Sequence, residues 1–183
     1  MTSVCFADEY DIKKAELAYR SSDYETAQLI FRHLAELGQA ESQRYLGEMY
    51  DKGLGLRRNY KLAIYWYRKA AEQGYASAQY RLGVKYANGH GVKKDNKVAY
   101  AWFVVAYDSG HEKAANSIRV LNQTMSYSER QQSLEEAYKL REKFGAALKK
   151  SSPKNPAKKI NTTYNPTNNF PLLDIKTSLY ITF

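Results

Sequence analysis

The side chains of this 183-residue chain that are able to do chemistry are few and scattered. They are three histidines, His33, His90 and His111, one cysteine, Cys5, and the adjacent carboxylates Glu135 and Glu136. A nucleophile needs a base within reach, a metal needs several ligands at set spacings, and a nucleotide phosphate needs a glycine-rich cradle. The sequence has no Gly-x-Ser-x-Gly elbow, no His-Glu-x-x-His pair and no phosphate-binding loop, so none of these chemistries has a template. Neighbouring positions on a helix point about 100° apart, so Glu135 and Glu136 do not act as a pair. A single thiol supports neither a disulfide framework nor a cysteine-rich zinc site. The residues are read as carrying no catalysis, no metal and no cofactor.

Binding chemistry is better represented. The net charge of +9 divides unevenly: residues 1–145 carry 22 basic and 18 acidic side chains, and residues 146–183 carry six lysines and one aspartate. The pairs Arg57-Arg58 and Lys93-Lys94 stand 36 residues apart, each just before an expected helix start. The tail lysines lack the interleaved aromatics that stack bases, which argues against a nucleic-acid partner. Tyrosine is abundant, 17 residues, and supplies the rigid, half-polar area common in binding surfaces. No transmembrane segment is expected, because apolar runs such as Ala101 to Tyr107 are far short of the roughly 18 residues that span a bilayer.

The elements that must position these groups are helices. All four prolines lie after Gly145 and all ten glycines lie at or before it. An interior proline costs a helix about 3 kcal/mol, so a proline-free body suits helices throughout. Self-comparison at a shift of 36 places Leu46-Gly47 on Leu82-Gly83, Tyr50 on Tyr86, Gly53 and Gly55 on Gly89 and Gly91, Ala63 on Ala99, Trp66 on Trp102, and Gly38 and Gly74 on Gly74 and Gly110. Such a period marks stacked supersecondary units, none able to bury its apolar face alone. Within a unit, Gln43, Leu46, Gly47 and Tyr50 form one helix face, and Gly47 and Gly83 mark places where a neighbouring backbone comes close. The Gly-x-Gly turn ends that helix. Asn59 and Asp95 then cap a second one, closed by Gly74 or Gly110. Tyr24, Tyr50, Tyr60 and Tyr86 are expected to fill the interior. Helices are predicted near 8–20, 23–37, 40–52, 59–73, 76–88, 95–109, 111–124 and 127–144, the last a capping helix opened by Ser126-x-x-Glu129 or Ser128-x-x-Gln131.

The stretches Ala63-Ile-Tyr-Trp-Tyr-Arg-Lys-Ala-Ala-Glu-Gln-Gly74 and Ala76-Ser-Ala-Gln-Tyr-Arg-Leu-Gly-Val-Lys-Tyr-Ala-Asn-Gly-His-Gly-Val92 resemble the Sel-one-like repeat, a relative of the tetratricopeptide repeat with a longer turn. The resemblance covers roughly residues 13–144. It implies an all-α, right-handed α-solenoid of antiparallel helix pairs with a C-terminal capping helix. It also implies a scaffold for protein–protein contacts, common in bacterial envelope, secretion or host-interaction settings and in eukaryotic quality control, with no chemistry of its own. Relatives with a cysteine pair in each repeat are not matched in that respect.

In such a solenoid the first helix of each pair lines the concave side, and the residues there are read by counting. Glu41, Arg44, Glu48 and Lys52 form one stripe, Ser77, Tyr80, Val84 and Asn88 the next, and Lys113, Asn116, Val120 and Thr124 a third. Glu41, Arg44, Glu48, Ser77, Tyr80, Asn88, Lys113 and Asn116 are the expected partner-binding set, a mixed-charge groove with a central tyrosine for a protein or peptide. A binder of nucleic acid or an anionic surface through the basic turns and tail stands as the alternative, and an envelope hydrolase as a weaker one.

The helical repeat domain is placed at 8–145 and a basic, Pro/Asn-rich tail with an apolar end at 146–183. Residues 1–7 read as the remnant of a signal peptide if the start codon is misassigned, which would place the protein in a periplasm or outside the cell, and otherwise in the cytoplasm.

Overall fold

The computed structural model describes the backbone of residues 3–148 and the side chains of residues 11–144. Eight helices and no strand occur among the described residues: α1 (Ser3–Arg20), α2 (Tyr24–Glu36), α3 (Ala40–Lys52), α4 (Tyr60–Glu72), α5 (Ala76–Asn88), α6 (Asn96–Asp108), α7 (Lys113–Thr124) and α8 (Tyr127–Leu148). The tail expected beyond residue 145 lies outside the described residues, save that α8 runs on to Leu148. At the other end α1 begins at Ser3 and so runs through residues 3–7.

Helix boundaries follow the caps that the sequence offers. The Asn59 side-chain oxygen accepts from the backbone N–H groups of Lys61 and Leu62, both at 3.1 Å. Asp95 does the same for Lys97 and Val98 at 2.9 and 3.0 Å. Each cap is worth about 1 kcal/mol over alanine. Of the two capping boxes, the first forms: Ser126 N–H and Oγ–H donate to Glu129 at 2.8 Å, and the Glu129 N–H donates back to Ser126 Oγ at 3.3 Å.

The longer connections turn on glycine and dock on the preceding pair. Gly53 and Gly89 end α3 and α5 in the left-handed region, at φ +73° and +71°. Two residues on, a Cβ added at Gly55 would stand 2.7 Å from Cβ of Tyr24, and one at Gly91 would stand 2.7 Å from Cβ of Tyr60. The chain then closes back, Asn59 N–H donating to the Tyr50 carbonyl at 2.8 Å and Asp95 N–H to that of Tyr86 at 2.9 Å. The first unit has a shorter connection, residues 21–23, where Ser22 takes φ +64°.

Consecutive helices pack on one another through α7, and α8 passes α7 to pack on α6. This explains the apolar run at 101–107. Residues 99–106 of α6 are all buried, because α8 covers the face that the second helix of an ordinary pair leaves open. The two tryptophans occupy equivalent surroundings: Trp66 packs on the core holding Phe31, Leu34, Leu46 and Met49, and Trp102 on that holding Ala63, Tyr67, Ala78 and Leu82.

Two expectations about the interior change. Tyr24, Tyr50, Tyr60 and Tyr86 are only half-buried, and the tyrosines that fill the interior are Tyr67 and Tyr100, with no exposed surface. Tyr50 and Tyr86 instead keep their hydroxyls in contact with Arg32 and Arg68, at 3.4 and 3.1 Å. The close neighbour of Gly47 and Gly83 is a ring of the second helix, Tyr67 or Phe103, rather than backbone alone.

Candidate functional site

The first-helix row α3, α5, α7 presents the expected residues, but does two different things with them. Between α3 and α5 they bind each other. Glu48 is buried, 6% exposed, and pairs with three cations: Arg44 at 2.9 Å, Lys52 at 2.5 Å and Arg81 of the next pair at 3.4 Å. The Tyr75 hydroxyl, at the start of α5, donates to Glu41 at 3.1 Å. About one turn beyond Glu48 and Arg81, Lys85 pairs with Asp51, and the Tyr67 hydroxyl also donates to Asp51, at 3.4 Å. Three polar links thus fasten α3 to α5, each joining residues 33 or 34 apart. The Arg44 guanidinium also lies over the Tyr45 ring, 3.4 Å from its centroid, a cation–π contact.

The charges of this cluster follow from geometry. Burial works against the Glu48 carboxylate, but its hydrogen bond to Lys52 and the charges of Arg81, Lys52 and Arg44 outweigh that and hold it below the usual carboxylate range. The hydrogen bond to Glu48 in turn raises the Lys52 ammonium. Burial, then the charge of Glu41, pushes the Tyr75 phenol up to about 12. One ionised acid therefore sits among three cations, leaving the patch net positive.

Between α5 and α7 the row opens. Val84 and Asn88 of α5 face Asn116 and Val120 of α7 across a depression of about 310 Å³, with Phe103 and Leu121 also lining it. Val120 is 56% exposed, a large apolar side chain with its face in water. Tyr80 is not the centre of an open groove: its ring stacks on His111 at 4.3 Å and 13° and tilts against Phe103 at 5.5 Å. His111 is held below its ordinary imidazole value by burial first, and further by the Lys113 and Arg81 charges, against a hydrogen bond to its own backbone. Ser77 is half-buried, and Asn88, Lys113 and Asn116 are exposed.

Of the expected set, then, Asn88 and Asn116 meet around one depression, Glu41, Arg44 and Glu48 are drawn into the link between pairs, and Tyr80 is a wall residue. Arg81, Lys85 and Phe103 lie off the single stripe counted along each helix, and His111, considered only for catalysis, stacks here on Tyr80. The structural positions Leu46, Ala63, Leu82, Ala99 and Trp102 are buried, and Gly74 and Gly110 close their helices at φ +86° and +94°. The basic turn residues Arg57, Arg58, Lys93 and Lys94 are exposed. Among the described residues no three His, Cys, Asp or Glu side chains converge as a metal site, and no helix is long and apolar enough to cross a membrane.

A model of the Sel1 repeat matches residues 40–75 and 76–111, two adjacent stretches of the 36-residue period. The chain carries Sel1 repeats, and its helices form an α-solenoid. A solved structure of a protective antigen present in uropathogenic Escherichia coli strains, displaying an SLR fold, is similar with a TM-score of 0.72 and 24% identity, over 86% of this chain and 35% of that one. A Sel1 repeat protein from Oxalobacter formigenes is similar with a TM-score of 0.60 and 31% identity, over 70% of this chain and 55% of that one. The chain thus spans about a third of the first and about half of the second. Comparison with curated proteins gives no match. Sel1-repeat proteins generally mediate protein–protein contacts, and the repeat is generally not catalytic.

Proposed function

We propose that the chain is a non-catalytic scaffold that holds a protein or peptide on the concave face made by α3, α5 and α7. The observation that carries this reading is the depression between α5 and α7, where two asparagines and an exposed valine stand around an apolar floor. An amide side chain both donates and accepts, so asparagines on facing walls suit the backbone of an extended segment. The Tyr80 ring of α5, stacked on His111 just before α7 and tilted against Phe103, braces the two walls, so little ordering is left for binding to supply.

The test is capture from an extract of the native cell with the full chain as bait, against Asn116→Arg combined with Val120→Arg. Both positions are exposed, so helicity and thermal midpoint are expected to stay near wild type. Loss of the partner from the double variant supports the concave face; equal capture by both contradicts it. The exposed basic turns allow a polyanion binder as the second reading. Its retention would fall by about a thousandfold or more as salt rises from about 0.05 to about 0.2 M, whereas a partner held in the depression stays bound.

A further inference from the structure

The cationic cluster and the apolar depression are parts of one surface. Arg81, Val84 and Asn88 stand at i, i+3 and i+7 on α5, one face of the helix, so the residue that reaches across to Glu48 adjoins the wall of the depression. The charges on this face are unbalanced. Its acids are already engaged: Glu48 is buried under three cations, Asp51 is paired with Lys85, and Glu41 accepts from Tyr75. Its cations are not used up. The Arg81 side chain is 35% exposed and meets Glu48 by one contact of 3.4 Å, and that of Lys52 is 49% exposed. A guanidinium carries five N–H donors and an ammonium three, so both have donors to spare. At the far end Lys113 is exposed with Glu112 beside it, a pair that adds no net charge.

From this juxtaposition we infer that the face selects a partner segment carrying a carboxylate close to a bulky apolar side chain. The carboxylate meets Arg81 and Lys52, the apolar side chain enters the depression between Val84 and Val120, and Asn88 and Asn116 take the backbone between or beyond them. A charge-assisted hydrogen bond is about twice as strong as a neutral one, so the acid sets register, while burial of the apolar side chain supplies most of the affinity. A basic segment is rejected by the same three cations that hold Glu48. The inference rests on the concave face being the binding surface and adds the chemistry of what it binds.

The experiment is selection from a random peptide display library on the immobilised full chain, followed by titration of a selected synthetic peptide and its amide form, Asp→Asn or Glu→Gln. Each is measured against wild type, Arg81→Gln and Val120→Asp, with far-UV circular dichroism as the check on folding. Selected sequences are expected to place Asp or Glu within a few residues of Leu, Ile or Phe. Amidation is expected to weaken binding about tenfold on wild type and less than about twofold on Arg81→Gln. Val120→Asp, at an exposed position, is expected to weaken the acidic peptide even if Arg81→Gln loosens the link to α3. Binding in which the acid is dispensable, or amidation losses that are equal on wild type and Arg81→Gln, overturns this inference and leaves the scaffold reading standing. Enrichment of no sequence family at all counts against the concave face itself.

Discussion

Glycine in a helix interior ordinarily costs about 1 kcal/mol against alanine, so Gly→Ala on a helix is usually stabilising. Gly83 reverses the sign. A Cβ there would stand 2.6 Å from the Phe103 ring, and that ring is 3% exposed, with Tyr80 beside it. Gly47 repeats the arrangement 36 residues earlier, its added Cβ 2.8 Å from the ring of Tyr67, which has no exposed surface. A ring so enclosed has nowhere to go. Gly83→Ala is therefore expected to lose about 1–3 kcal/mol, read as a lower urea midpoint at unchanged slope. A neutral or stabilised variant would contradict the ring-in-notch packing. The glycines themselves were legible as repeated identities, but their partners were not. Tyr67 and Phe103 hold the same place in successive pairs and differ in type, so comparison by identity passes over them. The surroundings of Glu48 were hidden for a related reason. Counting along α3 gives the direction of its side chain, but not that the next pair brings Arg81 over it, at a position where α3 itself carries Tyr45.

At the scale of helices, the polar contacts between pairs repeat with the same period and then fail at one point. Gln43 and Gln79 are buried and donate to the carbonyls of Ala35 and Ala71 at 3.1 and 3.2 Å. At the end of α4, Gln73 completes the first of these by donating to Gln43 Oε1 at 2.8 Å. The position 36 residues later is Ser109, and here both the Gln79 Oε1 and the Ser109 Oγ are buried with no hydrogen-bond partner. Gln73 and Ser109 share nearly the same backbone, φ −88° and ψ 5° against φ −81° and ψ 4°, so a longer amide at 109 starts from the right place. Ser109→Gln is expected to stabilise the protein by about 1 kcal/mol, a thermal midpoint higher by about 2–4 °C. An unchanged or lower midpoint would mean that the α6 end does not copy the α4 end. The helix starts were readable because Asn59, Asp95 and Ser126 cap them in the way their side chains allow. The docking of α8 on α6 was not, since an amphipathic pattern gives the width of an apolar face and not the helix that it meets; the all-apolar run at 101–107, too short for a membrane span, carried the signal.

At the scale of the whole helical unit, neighbouring cores share residues. Tyr50 packs on both the first and the second, and Tyr86 and Leu140 on both the second and the third. Stability in such an array resides in the interfaces between pairs, so the row of first helices is held in place from behind by burial and along its length by the links from α3 to α5. That division of labour leaves the α5–α7 depression as the part of the row where an apolar floor opens to water, and the binding proposal stands or falls there. The most direct measurement is side-chain NMR of the full chain, following the Val84 and Val120 methyls and the Asn88 and Asn116 amides as the captured partner is added. With the partner in the depression, these four signals are expected to shift together along one saturable curve, while the exposed Tyr65 on α4 stays in place. Shifts centred on α4, or on the basic turns at 57–58 and 93–94, with the four signals unmoved, would contradict it.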